Sequence, residues 1–144
     1  MSRPINDAKL GRLEYDNRVR WYSATLNTPH GDIKIYIDAQ QEPDLTLAIS
    51  HARQLATSLP IYEALAKEYA VEDLLVLKNE SWLEDGEDPL DPQSFKSRMT
   101  LTSAVVSADG EICLYHDDGD LFWGHTIQVG IGSQRQKLYT DIPG

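Results

Sequence analysis

The spacing of the apolar residues changes twice along this 144-residue chain, and nothing else in the sequence limits its fold as tightly. Leu45, Ala48, Ile49, Ala52, Leu55, Ala56 and Leu59 recur at three- and four-residue intervals. Ile61, Leu65, Ala66, Tyr69, Ala70, Leu74 and Leu77 continue that spacing. Such intervals gather side chains on one face of an amphipathic helix. Pro43 falls where the first turn of a helix tolerates it. Pro60 lacks the N–H that an uninterrupted helix needs, so the block reads as two helices, the second running to about Lys78. Val71-Glu72-Asp73 marks a point where the second is open to interruption.

Outside that block the apolar residues alternate, the period of a half-buried strand. Ile33, Ile35 and Ile37 share one face of residues 32–38, with Lys34, Tyr36 and Asp38 on the other. Residues 9–15 and 19–28 read as strands before it, and the Pro29-His30-Gly31-Asp32 turn makes a hairpin of the last two. After the helical block, residues 79–93 are acidic and punctuated by Gly86, Pro89 and Pro92, which reads as a loop. Asp91-Pro92 has the form of an N-cap followed by a first-turn proline, so a short helix is expected over 94–98. Residues 99–107 and 111–116 form a hairpin through Ala108-Asp109-Gly110. His125, Ile127, Val129 and Ile131 share a face of the next strand, and a short last strand covers 137–142. The expected fold is α+β: an antiparallel sheet of five to seven strands with two central helices packed on one face. No repeat or linker divides the chain, so residues 1–144 are expected to form one domain, with 1–8 disordered.

Charge narrows the function. Thirteen basic residues face 23 acidic ones, a net charge of −10, and the basic ones are scattered along the sequence. Phosphate backbones repel such a chain, so nucleic acid is disfavoured as a ligand and a basic protein partner is not. Cys113 is the only cysteine, which rules out an intramolecular disulfide and a four-cysteine zinc site. The first residues lack the apolar run of a signal peptide, and no stretch approaches the roughly 20 apolar residues of a membrane span. A cytoplasmic location without membrane contact is the expectation.

Two segments concentrate acid beside a tryptophan. In the first, Glu80, Glu84, Asp85, Glu87, Asp88 and Asp91 surround Trp82. It reads either as a solvated loop with Trp82 tucked beneath it, or as a patch that attracts a basic partner, with Trp82, Glu84 and Asp85 in contact. In the second, Asp117, Asp118 and Asp120 surround Gly119, and Phe122, Trp123 and His125 follow. Carboxylates around a glycine can wrap a hard cation, and the histidine can add a ligand. The spacing matches neither a calcium loop nor a zinc signature, and Asp-Gly pairs are ordinary turn formers. A divalent cation on Asp117, Asp118, Asp120 and His125 is thus the one cofactor reading, set against a turn that needs no ligand. His125 is read as a core residue bonded to Asp118 or Asp120. Phe122 and Trp123 are read as core, with a partner contact by Trp123 as the alternative.

The run from Asp117 to Ile127 resembles the C-terminal motif of a bacterial family, the domain of unknown function 2262. Lys78-Asn79-Glu80-Ser81-Trp82-Leu83, with the acids and Pro89-Leu90 after it, is similar to that family's middle motif. Trp21-Tyr22 and the closing Asp141-Ile142-Pro143-Gly144 also fit its layout, so the likeness covers the chain from about Leu10. The resemblance implies family membership and no activity. The sequence holds no nucleophile elbow, phosphate-binding glycine loop or zinc-protease helix. Three readings follow. The first is a protein-interaction module, in the manner of an immunity protein or antitoxin that masks a basic toxin. The second is a metal-dependent enzyme or metal binder on the 117–125 segment. The third is a homo-oligomeric structural or regulatory subunit.

Overall fold

A computed structural model describes residues 3–143 of the chain. Eight strands form one sheet in sequence order. They are β1 (Ile5–Asp7), β2 (Gly11–Asp16), β3 (Trp21–Thr28), β4 (Gly31–Asp38), β5 (Thr100–Ser107), β6 (Ile112–Asp117), β7 (Thr126–Ile131) and β8 (Lys137–Asp141). Between β4 and β5 come α1 (Asp44–Thr57), α2 (Leu59–Ser81) and α3 (Pro92–Arg98). The α+β class stands.

The sheet itself differs from the expectation in two ways. It is mixed, because β4 and β5 pair in parallel, with Lys34 opposite Ser103 and Asp38 opposite Ser107. Every other neighbouring pair is antiparallel. The helical block is the cause: a parallel neighbour requires a long crossover, and the block carries the chain from the end of β4 back to the start of β5. There are also eight strands instead of five to seven. Ile5–Asp7, inside the segment expected to be disordered, pair with Gly11–Leu13. The buried Asp7 carboxylate holds this hairpin by accepting from Lys9 N, Leu10 N and Arg53. Residues 1 and 2 of that segment lie outside the described residues.

The alternation does set the faces. Ile33, Ile35 and Ile37 are buried, and so are Ala104, Val106, Ile112, Leu114, Ile127, Val129 and Ile131, their neighbours across the register. From the helices, Ala48, Ala52 and Leu55 join the same core with Tyr62, Ala66, Ala70 and Leu74. α1 lies against β4 and β5, α2 against β7 and β8, and α3 against α2. The helices separate at Ser58, with Pro60 in the first turn of α2. Val71-Glu72-Asp73 does not interrupt α2: Glu72 and Asp73 lie on its exposed side, where they receive Lys137 from β8. In α3, the Asp91 side chain accepts from Ser94 N at 2.7 Å, which is the cap read from the sequence. No helix of the described residues is long and apolar enough to cross a membrane.

Candidate functional site: two tryptophan segments at one junction

Lys78 continues the buried stripe of α2, four residues beyond Leu74, and its side chain is fully buried. A buried ammonium needs partners at its charge. It donates to Trp82 O at 2.8 Å and to Glu87 Oε1 at 2.9 Å. Glu87 Oε1 also accepts from Glu84 N at 3.0 Å, and Oε2 pairs with Arg98 at 3.1 Å. The bonds from Lys78, then Glu84 N and Arg98, outweigh burial and hold the Glu87 carboxyl down at about 2. Asn79 closes the loop a second time, donating to Leu90 O at 3.0 Å and accepting from Leu90 N at 2.9 Å. The acidic stretch is therefore an ordered loop folded back on the end of α2.

The 117–125 segment is equally self-bonded. Asp117 accepts from Gly119 N at 2.8 Å. Asp118 is buried, and its carboxylate accepts from Asp120 N at 2.9 Å, Phe122 N at 2.8 Å and Gly124 N at 3.2 Å. Arg98 grips the turn from outside, donating to Gly119 O at 2.9 and 2.7 Å. Only glycine permits this approach: a Cβ on Gly119, at φ +55°, would sit 2.4 Å from Arg98 O. Asp120 is exposed. His125 is half-buried, and its Nδ1 donates to Phe122 O at 2.5 Å. It is bonded to that carbonyl and to neither Asp118 nor Asp120, because it still belongs to the turn that precedes β7. The histidine on the apolar face is His116, paired across the register with Ile127. Its Nδ1 meets Ile127 O at 3.2 Å and, among the described residues, its Nε2 has no partner. Burial pushes His116 down to about 4.

The structure does not gather Asp117, Asp118, Asp120 and His125 around one point. Among the described residues no group of three His, Cys, Asp or Glu is placed to hold a metal ion. What it gathers instead are the two tryptophan segments. The Trp82 ring lies 4.8 Å from Trp123, 5.4 Å from Phe122 and 5.4 Å from His125. Trp123 Nε1 donates to Trp82 O at 3.1 Å, the carbonyl that also receives Lys78. Phe122 is buried and Trp82 half-buried, but Trp123 is 54% exposed. The backbone of Trp123 stands at φ +60°, which a bulky residue seldom adopts. Glu84 and Asp85 are exposed on the same loop as Trp82. Among the described residues, neither these two nor Asp117 and Asp120 form an ion pair.

The junction thus presents a half-exposed indole on two segments that also carry the exposed carboxylates of Glu84, Asp85 and Asp120. It rests on Lys78, Glu87 and Arg98, none of which stands out as a site residue in the sequence. The four-residue spacing Tyr62, Ala66, Ala70, Leu74, Lys78 is the signal that marks Lys78 as inward-facing. No curated protein and no solved structure matches the chain. The family described as "Uncharacterized protein conserved in bacteria (DUF2262)" matches residues 7–141, both tryptophan segments included, and the chain belongs to it.

Proposed function

We propose that this protein is an interaction module that docks a basic protein partner on the Trp123 surface. The observation that carries the reading is Trp123 itself. A large aromatic held in solvent at a strained backbone angle loses apolar burial that a partner would restore. Interface anchors are enriched in tryptophan because one rigid ring contributes much contact area. Glu84, Asp85 and Asp120, without an ion pair among the described residues, supply negative charge on the two segments, which speeds encounter with a cationic surface and selects against an anionic one. An immunity-like or antitoxin-like role, masking a basic toxin in the cytoplasm, is the concrete form of this function.

The test is capture from the native host at low salt, with three baits: the wild-type chain, Trp123→Ala, and Glu84→Ala with Asp85→Ala. A basic protein retained by the wild type, lost with either variant and released by salt supports the reading. Capture of no protein, or of the same proteins by all three baits, overturns it. A second reading, self-association through the β8 edge, rests on Leu138 and Tyr139, 43% and 37% exposed on a strand with one free edge. Light scattering that finds only monomer at high concentration removes it.

A further inference from the structure

A second feature of the molecule points to a ligand of the opposite charge. A cavity of about 560 Å³ opens between α1, α2 and the turn that links β7 to β8. Arg53, Arg135, Tyr62 and the hydroxyls of Ser50, Thr57, Ser58 and Ser133 are in its lining, and among the described residues no carboxylate is. That composition runs against the chain as a whole, where 23 acids outnumber 13 bases. Ser50, Arg53 and Thr57 recur on one face of α1, so the helix turns a polar stripe toward the cavity.

Arg135 is preorganised there. Its backbone holds a left-handed turn at φ +64°, with its N–H on Gly132 O at 2.9 Å and its carbonyl accepting from Tyr69 OH at 2.6 Å. Its guanidinium lies 5.2 Å above the Tyr62 ring. Among the described residues it pairs with no carboxylate. Arg53 is held by Asp7, through Nε at 2.6 Å and one terminal nitrogen at 2.5 Å. A guanidinium carries five N–H donors, so the pair with Asp7 leaves others free.

We propose that this cavity binds the phosphate group of a small phosphorylated molecule. The Arg135 guanidinium, the remaining donors of Arg53 and the hydroxyls of Ser50, Thr57, Ser58 and Ser133 outnumber the needs of a single carboxylate. They suit three terminal oxygens carrying close to two negative charges. Tyr62 and the Arg135 stem form an apolar wall for the rest of the molecule. The fixed arginines lower the ordering cost of binding, which favours a small ligand.

The experiment is calorimetric titration of the full chain with inorganic phosphate, glycerol phosphate and acetate. Both phosphates are expected to bind saturably at one per chain, and acetate is not. Arg135→Asn removes the guanidinium with a residue that tolerates the left-handed backbone. It is expected to weaken phosphate by at least about tenfold, the loss of a charge-assisted bond, without changing the melting temperature of the free protein. Gln54→Glu, which places a carboxylate on the cavity wall, is expected to weaken phosphate by a similar factor and serves if the first variant fails to fold. Absence of saturable phosphate binding at millimolar concentration, acetate binding as well as phosphate, or unchanged affinity in the folded variants overturns the proposal.

Discussion

Replacing Glu87 by glutamine keeps the shape of the side chain and removes its charge. In the wild type that charge faces Lys78 at 2.9 Å and Arg98 at 3.1 Å. The variant leaves a fully buried ammonium with only neutral oxygens around it. A carboxyl held at about 2 instead of 4.5 corresponds to at most about 3 kcal/mol of stability. The carboxylate is about one-fifth exposed, and solvent screens part of this, which brings the expected cost to about 2–3 kcal/mol. For a domain of this length that lowers the melting temperature by roughly 6–10 °C. The pH dependence follows from the direction of the shift. The unfolded chain takes up a proton near 4.5 and the folded chain only near 2, so the contribution is complete above 4.5 and is lost as pH falls through that window. Urea unfolding of both proteins at neutral pH and at pH values down to about 3 is the assay, with the gap between them expected to close on acidification. A variant within about 0.5 kcal/mol of wild type at pH 7, or a gap that is constant with pH, refutes the reasoning.

Asp118→Ala strips the acceptor from three backbone N–H groups at a buried site, and urea unfolding is expected to show a loss of about 2–4 kcal/mol; a loss under about 1 would show that water replaces it. Because the Asp117 and Asp118 carboxylates are engaged by the backbone of their own turn, millimolar Mg²⁺, Ca²⁺, Mn²⁺ or Zn²⁺ is expected to leave the melting temperature of metal-free protein unchanged; a clear rise contradicts this. His116 stays neutral in the fold down to about 4, against 6.5 in the unfolded chain, so wild-type stability falls by up to about 3 kcal/mol as pH drops through that range. His116→Leu is expected to lose that part of the acid sensitivity, and parallel pH profiles of the two proteins would contradict the assignment.

Much of this architecture is legible in the residues, and what is hidden is hidden for physical reasons. Alternation in Gly31–Asp38, Thr100–Ser107 and Ile112–Asp117 reports which side chains turn inward, because that depends on each strand alone. It does not report which strand lies next to which, so the parallel pairing of β4 with β5 is silent in the pattern. β1 is too short at three residues to show a period. Helical spacing marks α1 and α2, and the break at Pro60 is local chemistry. The candidate site divides the same way. Trp82 and Trp123 are conspicuous in sequence, but their contact spans 41 positions. Glu87 is one acid among six in its loop, and only the buried position of Lys78 sets it apart. His116 keeps the inward parity of Ile112 and Leu114 within β6, whereas His125 lies one residue before β7 begins and stays in the turn, so the apolar alternation of Ile127, Val129 and Ile131 does not extend to it.

The proposed docking surface exists only if the two tryptophan segments form one ordered junction. Nuclear Overhauser spectroscopy of the wild-type protein reads this directly through the indole protons. Ring centres 4.8 Å apart predict strong cross-peaks between Trp82 and Trp123, and the 5.4 Å contact predicts further peaks from Trp82 to His125. Absence of cross-peaks between the two indoles in the folded protein would contradict the account.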